Sequence, residues 1–154
     1  SSSSAASDVY KRQEFNSIPY MIDYLTAVLP ATHPLAKADN LPFEQLRGET
    51  FLLFPEHSFI NDLCIRECRN AGFEPHIAYT GNRGATLIDL VRNGAGITLM
   101  MHHSARQEND SSLAFIPVTP GIYSYISLNY AKEKPLSPQA ESFVRYVKAH
   151  KRDF

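Results

Sequence analysis

Apolar residues along this chain fall into short blocks that switch between two periods. Leu25–Leu29 (LTAVL) is an unbroken apolar run stopped by Pro30, and Thr50–Phe54 (TFLLF) is a second. Runs of this length between breakers read as buried strands. Between them, Pro42–Arg47 predicts one helical turn with Pro42 at its first position, ended by Gly48. Ser58 then offers a hydroxyl as helix N-cap. Ile60, Leu63, Cys64, Cys68 and Ala71 follow at helical spacing and form one apolar face, while Asn61, Asp62, Arg66, Glu67 and Arg69 fill the other. Gly72 terminates this helix. His76–Thr80 predicts a third strand, Gly84–Asn93 a second amphipathic helix with Leu87, Ile88, Leu90 and Val91 inward, and Gly96–Met101 a fourth strand.

Strand, helix, strand, helix, strand is the order of a parallel α/β unit with right-handed crossovers. After it come a polar segment, His102–Ser112, strands at Leu113–Val118 and Tyr123–Ala131, and a last helix opened by Ser137 and Pro138. That helix carries Ala140, Phe143, Val144 and Val147 on its apolar face. The last strand and helix come after the α/β unit has closed, and the pattern leaves no strand to cover them. Part of a second subdomain is therefore expected to lie outside this chain.

The first thirteen residues, SSSSAASDVYKRQ, show neither period. The serine run resembles low-complexity linker, and DVYKRQ resembles the translated end of a sequencing adapter. The expectation for residues 1–13 is a non-native leader, with a disordered tail as the alternative.

Composition narrows the function. The 154 residues suffice for one domain with a real core. With 15 basic against 16 acidic residues, the chain lacks the basic excess of a module that grips nucleic acid by itself. No apolar run approaches the roughly 20 residues of a membrane span, and no secretory signal opens the chain. Two cysteines are too few for a disulfide scaffold. The expected setting is the cytoplasm, without membrane contact.

Five stretches, in order, resemble the effector-binding domain of LysR-type transcriptional regulators: Leu25–Ala36 (LTAVLPATHPLA), Leu46–Pro55 (LRGETFLLFP), Asn70–Pro75 (NAGFEP), Leu90–Leu99 (LVRNGAGITL) and Leu136–Tyr146 (LSPQAESFVRY). The resemblance spans roughly residues 15 to 150. It implies an α/β, type 2 periplasmic-binding-protein-like fold. One Rossmann-like βαβ subdomain would occupy residues 24–125, and residues 126–150 would return into an incomplete first subdomain. Leu25–Leu29 and Tyr123–Ala131 would be the two crossing strands. The resemblance also implies a bacterial regulator, homo-oligomeric when intact, that touches DNA only through an N-terminal head absent from this chain. Its partner would be a small-molecule effector such as an organic acid, with no cofactor and no enzymatic activity. Two other readings share the fold type: a solute-binding protein of a transporter, and an organic-acid dehydratase using Glu56 or His57.

Ligands of open parallel sheets bind outside the carboxyl ends of the strands, near helix N-termini. Two loops qualify. Pro55, Glu56, His57, Ser58 and Phe59 follow the strand TFLLF; Thr80, Gly81, Asn82 and Arg83 follow HIAYT. Ser58 and the N–H groups behind it suit an anion, although Ser58 also serves as a simple cap. A cation at a helix start opposes the helix dipole, so Arg83 there suggests a carboxylate partner, against the alternative of a solvated surface arginine. Glu56 would repel an anion unless it pairs with Arg83 or His57. Cys64 and Cys68, on the apolar face, read as small hydrophobes. His102 and His103 read as loop filler, since no other metal-ligand type stands at a suitable spacing. Met100 and Met101 read as core and pocket lining, and Gly94-x-Gly96 as a turn, because a strand rather than a helix follows it.

Overall fold

The computed structural model describes residues 14–108 and 110–150. The leader expected at residues 1–13 lies outside them. The described chain divides into two compact units, one running from Asp23 to Tyr123 and the other taking the residues up to Ile22 and from Ser124 on.

In the larger unit, strands β3 (Thr50–Leu53) and β4 (His76–Thr80) pair in parallel. A parallel bridge between Phe51 and Ile97 ties β3 to the lead-in of β5 (Thr98–Met101). Two backbone hydrogen bonds make it: Leu52 N–H to the Ile97 carbonyl and Ile97 N–H to the Thr50 carbonyl, each 2.8 Å. Beyond β5 the sheet changes direction. β1 (Phe15–Pro30) runs antiparallel to β5, with Leu25 opposite Met101. β6 (Leu113–Thr119) runs antiparallel to the other side of β1, and the two-residue β2 (Leu41–Pro42) lies parallel to β6. The strands thus follow one another as β4-β3-β5-β1-β6-β2. The parallel unit expected from the strand–helix–strand–helix–strand order is the β4-β3-β5 part; the antiparallel pairing of β1 and β6 was not legible, because an apolar run reports burial and not strand direction.

Side chains alternate between two apolar layers, as the pleat requires. Leu25, Ala27, Leu29, Phe51, Leu53, Ile97 and Leu99 join Leu63, Cys64 and Cys68 of helix α1 (Phe59–Asn70) in the larger cluster. Val28, Leu52 and Met100 join Leu87, Ile88 and Val91 of helix α2 (Gly84–Arg92) in the other. The two helices therefore cover opposite faces. Each begins and ends where the sequence signals it. The Ser58 hydroxyl accepts the Asn61 N–H at 3.4 Å, and glycines 72 and 94 take positive φ at the two C-termini. Ser58→Ala is expected to cost about 1 kcal/mol through the lost cap, measurable as a lower urea midpoint.

Three local expectations need correction. Asn61, assigned to the polar face of α1, is 1% exposed. Its amide donates to the Phe54 carbonyl at 2.9 Å, so it serves the backbone leaving β3. The polar stretch after β5 is not all loop: His102–Arg106 form a short helix, α3. Its first turn is anchored by Asp23, whose Oδ1 accepts the His103 N–H at 3.0 Å. Finally, the strand read as Leu25–Leu29 extends back to Phe15. Its first half alternates instead of running apolar, and it includes Pro19 and Asp23.

That extension supplies the strand that seemed to be lacking. In the smaller unit, β7 (Tyr123–Ala131) pairs with β1, and Val144 and Val147 of helix α4 (Pro138–His150) bury against Ile18, flanked by Tyr20, Leu128 and Tyr130. Ser137 caps the helix, accepting the Ala140 N–H at 3.2 Å. Phe143, expected inward, is 56% exposed, because only the Val144–Val147 stripe meets the strands. No described helix is long and apolar enough to cross a membrane.

Candidate functional site

Because β3, β4 and β5 are parallel, their carboxyl ends share one edge of the sheet. Phe54–Ser58, Gly81–Arg83 and Met101–His103 leave the strands there. β1 runs the other way with Leu25 opposite Met101, so Asp23 and Tyr24 reach the same edge.

The nine residues expected from the sequence all sit in these loops or at their margins. Pro55, Glu56, His57, Phe59, Thr80, Asn82 and Arg83 are exposed; Ser58 and Gly81 are half-buried. The Gly81 N–H donates to the Leu53 carbonyl at 3.0 Å, which ties the two loops together at their roots. His57 holds a left-handed φ of 67°, a conformation few non-glycine residues adopt. Arg83 is the N-cap of α2 in extended conformation, and its side chain makes no capping bond. Its carbonyl accepts from Thr86 and Leu87 at 3.1 and 3.3 Å.

The structure does not gather all nine into one pocket. Glu56, His57 and Thr80 line a groove of about 380 Å³ between α1 and β4, together with Asn61, Asp62, Ile77 and Tyr79. Arg83 and Ser58 are not part of its wall. Among the described residues neither Glu56 nor Arg83 forms an ion pair. Glu56 thus has neither of the pairings that would offset its charge among the described residues, and it borders a groove beside α1 while α2, which Arg83 opens, covers the opposite face.

The sequence reading missed a second group on this edge. The His102 ring stacks on Tyr24 with centroids 4.4 Å apart and planes 14° apart. His102 Nδ1 is buried without a hydrogen-bond partner. Burial, followed by the charge of Arg106, holds the imidazole below its usual pKa, partly offset by Asp23. Burial, then the Asp23 carboxylate, pushes the Tyr24 phenol up. Asp23, 7% exposed, accepts the N–H groups of Tyr24 and His103 at 2.9 and 3.0 Å. The signal in the sequence was a histidine pair directly after a strand. Its partners could not be inferred without the direction of β1.

Cys64 and Cys68 are both fully buried, with sulfurs 4.0 Å apart. The hydrogen bond with Cys68, and then burial, push the Cys64 thiol far above its ordinary range, which disfavours thiolate chemistry on this helix face. Among the described residues, no cluster of three metal-ligating side chains occurs.

Known proteins supply the remaining comparison. A family model described as LysR substrate binding domain matches residues 6–152. The Transcriptional dual regulator GltC of Bacillus subtilis is 30% identical over 122 residues, which cover 79% of this chain and 41% of that protein. The HTH-type transcriptional regulator TtuA of Agrobacterium vitis is 36% identical over 83 residues, covering 51% and 26%. The chain thus spans less than half the length of these curated relatives. Among solved structures, the CcmR regulatory domain of Synechocystis PCC6803 in complex with 2-PG has a TM-score of 0.74 at 19% identity, over 91% of this chain and 68% of that one. The effector binding domain of QuiR in complex with shikimate has a TM-score of 0.65 at 20% identity, over 97% and 79%. At such identities the structural likeness speaks for the fold.

Proposed function

Since the chain belongs to the LysR substrate-binding domain family, we propose that it is the effector-sensing part of a bacterial transcriptional regulator, and that its effector is a small organic acid. The observation that carries this is the shared edge where three parallel strands end. Two helix starts meet solvent there, with the exposed Arg83, which forms no ion pair among the described residues. Helix N-termini present free N–H groups and a positive dipole end, and a guanidinium takes a carboxylate bidentately. The regulatory output requires only that the acid bind one arrangement of the regulator better than another, since a ligand shifts an equilibrium solely by its differential affinity. DNA contact would fall to another part of a homo-oligomeric regulator in the cytoplasm, and no chemical turnover is needed. The CcmR regulatory domain in complex with 2-PG and the QuiR effector binding domain in complex with shikimate, a carboxylate, are precedents for small-molecule binding on the same fold.

Calorimetric titration of the chain with a panel of small carboxylates, shikimate among them, tests this. At least one is expected to bind, and Arg83→Ala to weaken that acid tenfold or more, roughly the worth of a charge-assisted hydrogen bond. Unchanged affinity in Arg83→Ala would remove Arg83 from the site. A panel without a single binder would overturn the organic-acid reading.

A further inference from the structure

We propose that anion binding at this sheet edge is coupled to proton uptake by His102, whose ring stacks on Tyr24 where β5 ends. The inference rests on the organic-acid reading above and adds a residue and a linkage to it.

Position comes first. His102 leaves β5 at the edge where the Ser58 and Arg83 loops leave β3 and β4. The ring is not a free surface group. It lies flat on Tyr24, and the helix that begins with it is pinned through the next residue, whose N–H is held by the buried Asp23 carboxylate. Both anchors are local to Asp23–Tyr123, so the ring keeps its place at the edge. Its buried Nδ1 has no partner among the described residues, so a proton there would lack an acceptor, a further reason the empty site favours the neutral ring.

The charges around the ring explain why it waits neutral. From β1 it faces Asp23 and Tyr24; from its own helix it faces His103 and Arg106. The strands that pack against α3, β5 and β6, carry no ionisable side chain. Asp23 is the sole carboxylate among these neighbours, and its Oδ1 is already occupied by two N–H groups. Partial burial and the Arg106 cation therefore prevail, and the imidazole sits below its usual range. An incoming carboxylate leaves the burial in place but opposes the cation in two ways: it screens Arg106 and it places a negative charge near the ring. Either change favours the imidazolium.

The sign of the linkage follows. A ligand that raises the His102 pKa binds more tightly as pH falls from the bound pKa towards the free one, and its affinity is level outside that window. The gain is about tenfold for each unit by which the pKa is raised. Simple carboxylic acids, with pKa near 4, stay ionised between pH 7.5 and 5.5, and so does arginine, so neither accounts for such a slope.

The test measures shikimate affinity, or that of the best binder in the carboxylate panel, at pH 7.5 and 5.5. The wild-type chain is compared with His102→Gln and His103→Gln. Histidine ring signals are followed by NMR through the same pH range, with His102→Gln assigning the resonance. The expected result is severalfold tighter binding at pH 5.5 in the wild type and in His103→Gln, and none of that gain in His102→Gln. The His102 midpoint should lie below the ordinary imidazole value in the empty protein and rise on saturation. A pH gain that survives in His102→Gln, or a midpoint unmoved by a ligand that still depends on Arg83, overturns the proposal and leaves the organic-acid site standing. Failure of every carboxylate to bind at either pH overturns both.

Discussion

Gly96→Ala is expected to destabilise the chain by about 3 kcal/mol or more, whereas Gly94→Ala, two residues earlier, should cost about 1–2 kcal/mol. The two glycines sit in one turn but answer different demands. Gly94 has a φ of 78° and open space around an added Cβ, so its substitution pays only for a left-handed backbone. A Cβ on Gly96 would fall well inside contact distance of the Thr50 carbonyl oxygen, with the Leu52 side chain 3.2 Å away. That same carbonyl accepts the Ile97 N–H, one of the two bonds that join β3 to β5. No rotamer change relieves a clash with backbone, so β3 must shift. The shift breaks the join that sets the carboxyl ends of β3 and β4 beside that of β5. Urea or thermal unfolding of both variants checks the order. Equal losses would mean that the close approach at Gly96 carries no weight, and a large loss at Gly94 alone would invert the assignment.

This pair of glycines also shows how far the sequence could be read. Gly94-x-Gly96 was legible as a turn between helix and strand, because a helix stop followed by an apolar run leaves little else. That the second glycine marks a backbone crossing was not legible, since the crossing partner, Thr50, lies 46 residues away. The same division runs through the fold. Elements with strong local signals, such as α1 behind Ser58 and α2 before Gly94, appear close to where the pattern puts them. What the pattern could not convey was direction and partnership. β1 reads as five apolar residues, yet it continues to Phe15 and serves sheets in both units. Its antiparallel pairing with β5 is what brings Tyr24 beneath His102. Hence the loops at the ends of β3 and β4 could be named in advance, while the histidine after β5 was set aside. Asn61 was misplaced for a related reason: counting by helical period assigns a residue to a face, but it cannot see the Phe54 carbonyl that needs a donor there.

Phe51→Ala is expected to cost about 3–5 kcal/mol, and Phe143→Ala no more than about 0.5 kcal/mol, although the sequence pattern treats both as core positions. Phe51 is fully buried at the middle of β3, and its cluster draws on strand residues of β1, β3 and β5 and on α1. Truncation there removes a large apolar side chain and leaves a cavity. The surrounding layer, fixed by the pairing of β3 with β4 and by the bridge to Ile97, can close it only in part. Phe143 has more than half its surface in solvent, and among its unit's described residues the buried apolar side chains are Ile18, Met21, Val144 and Val147. Losing its ring removes little area from contact. The difference should appear as a large fall in the urea midpoint for one variant and almost none for the other. A costly Phe143→Ala would mean that this ring is covered in solution, and a mild Phe51→Ala would mean that the larger layer repacks freely. The second outcome would bear on function as well, because the strand that holds Phe51 also sets where the Glu56–Ser58 loop begins. A site built on a rigid strand keeps its geometry only while that strand's buried face is filled.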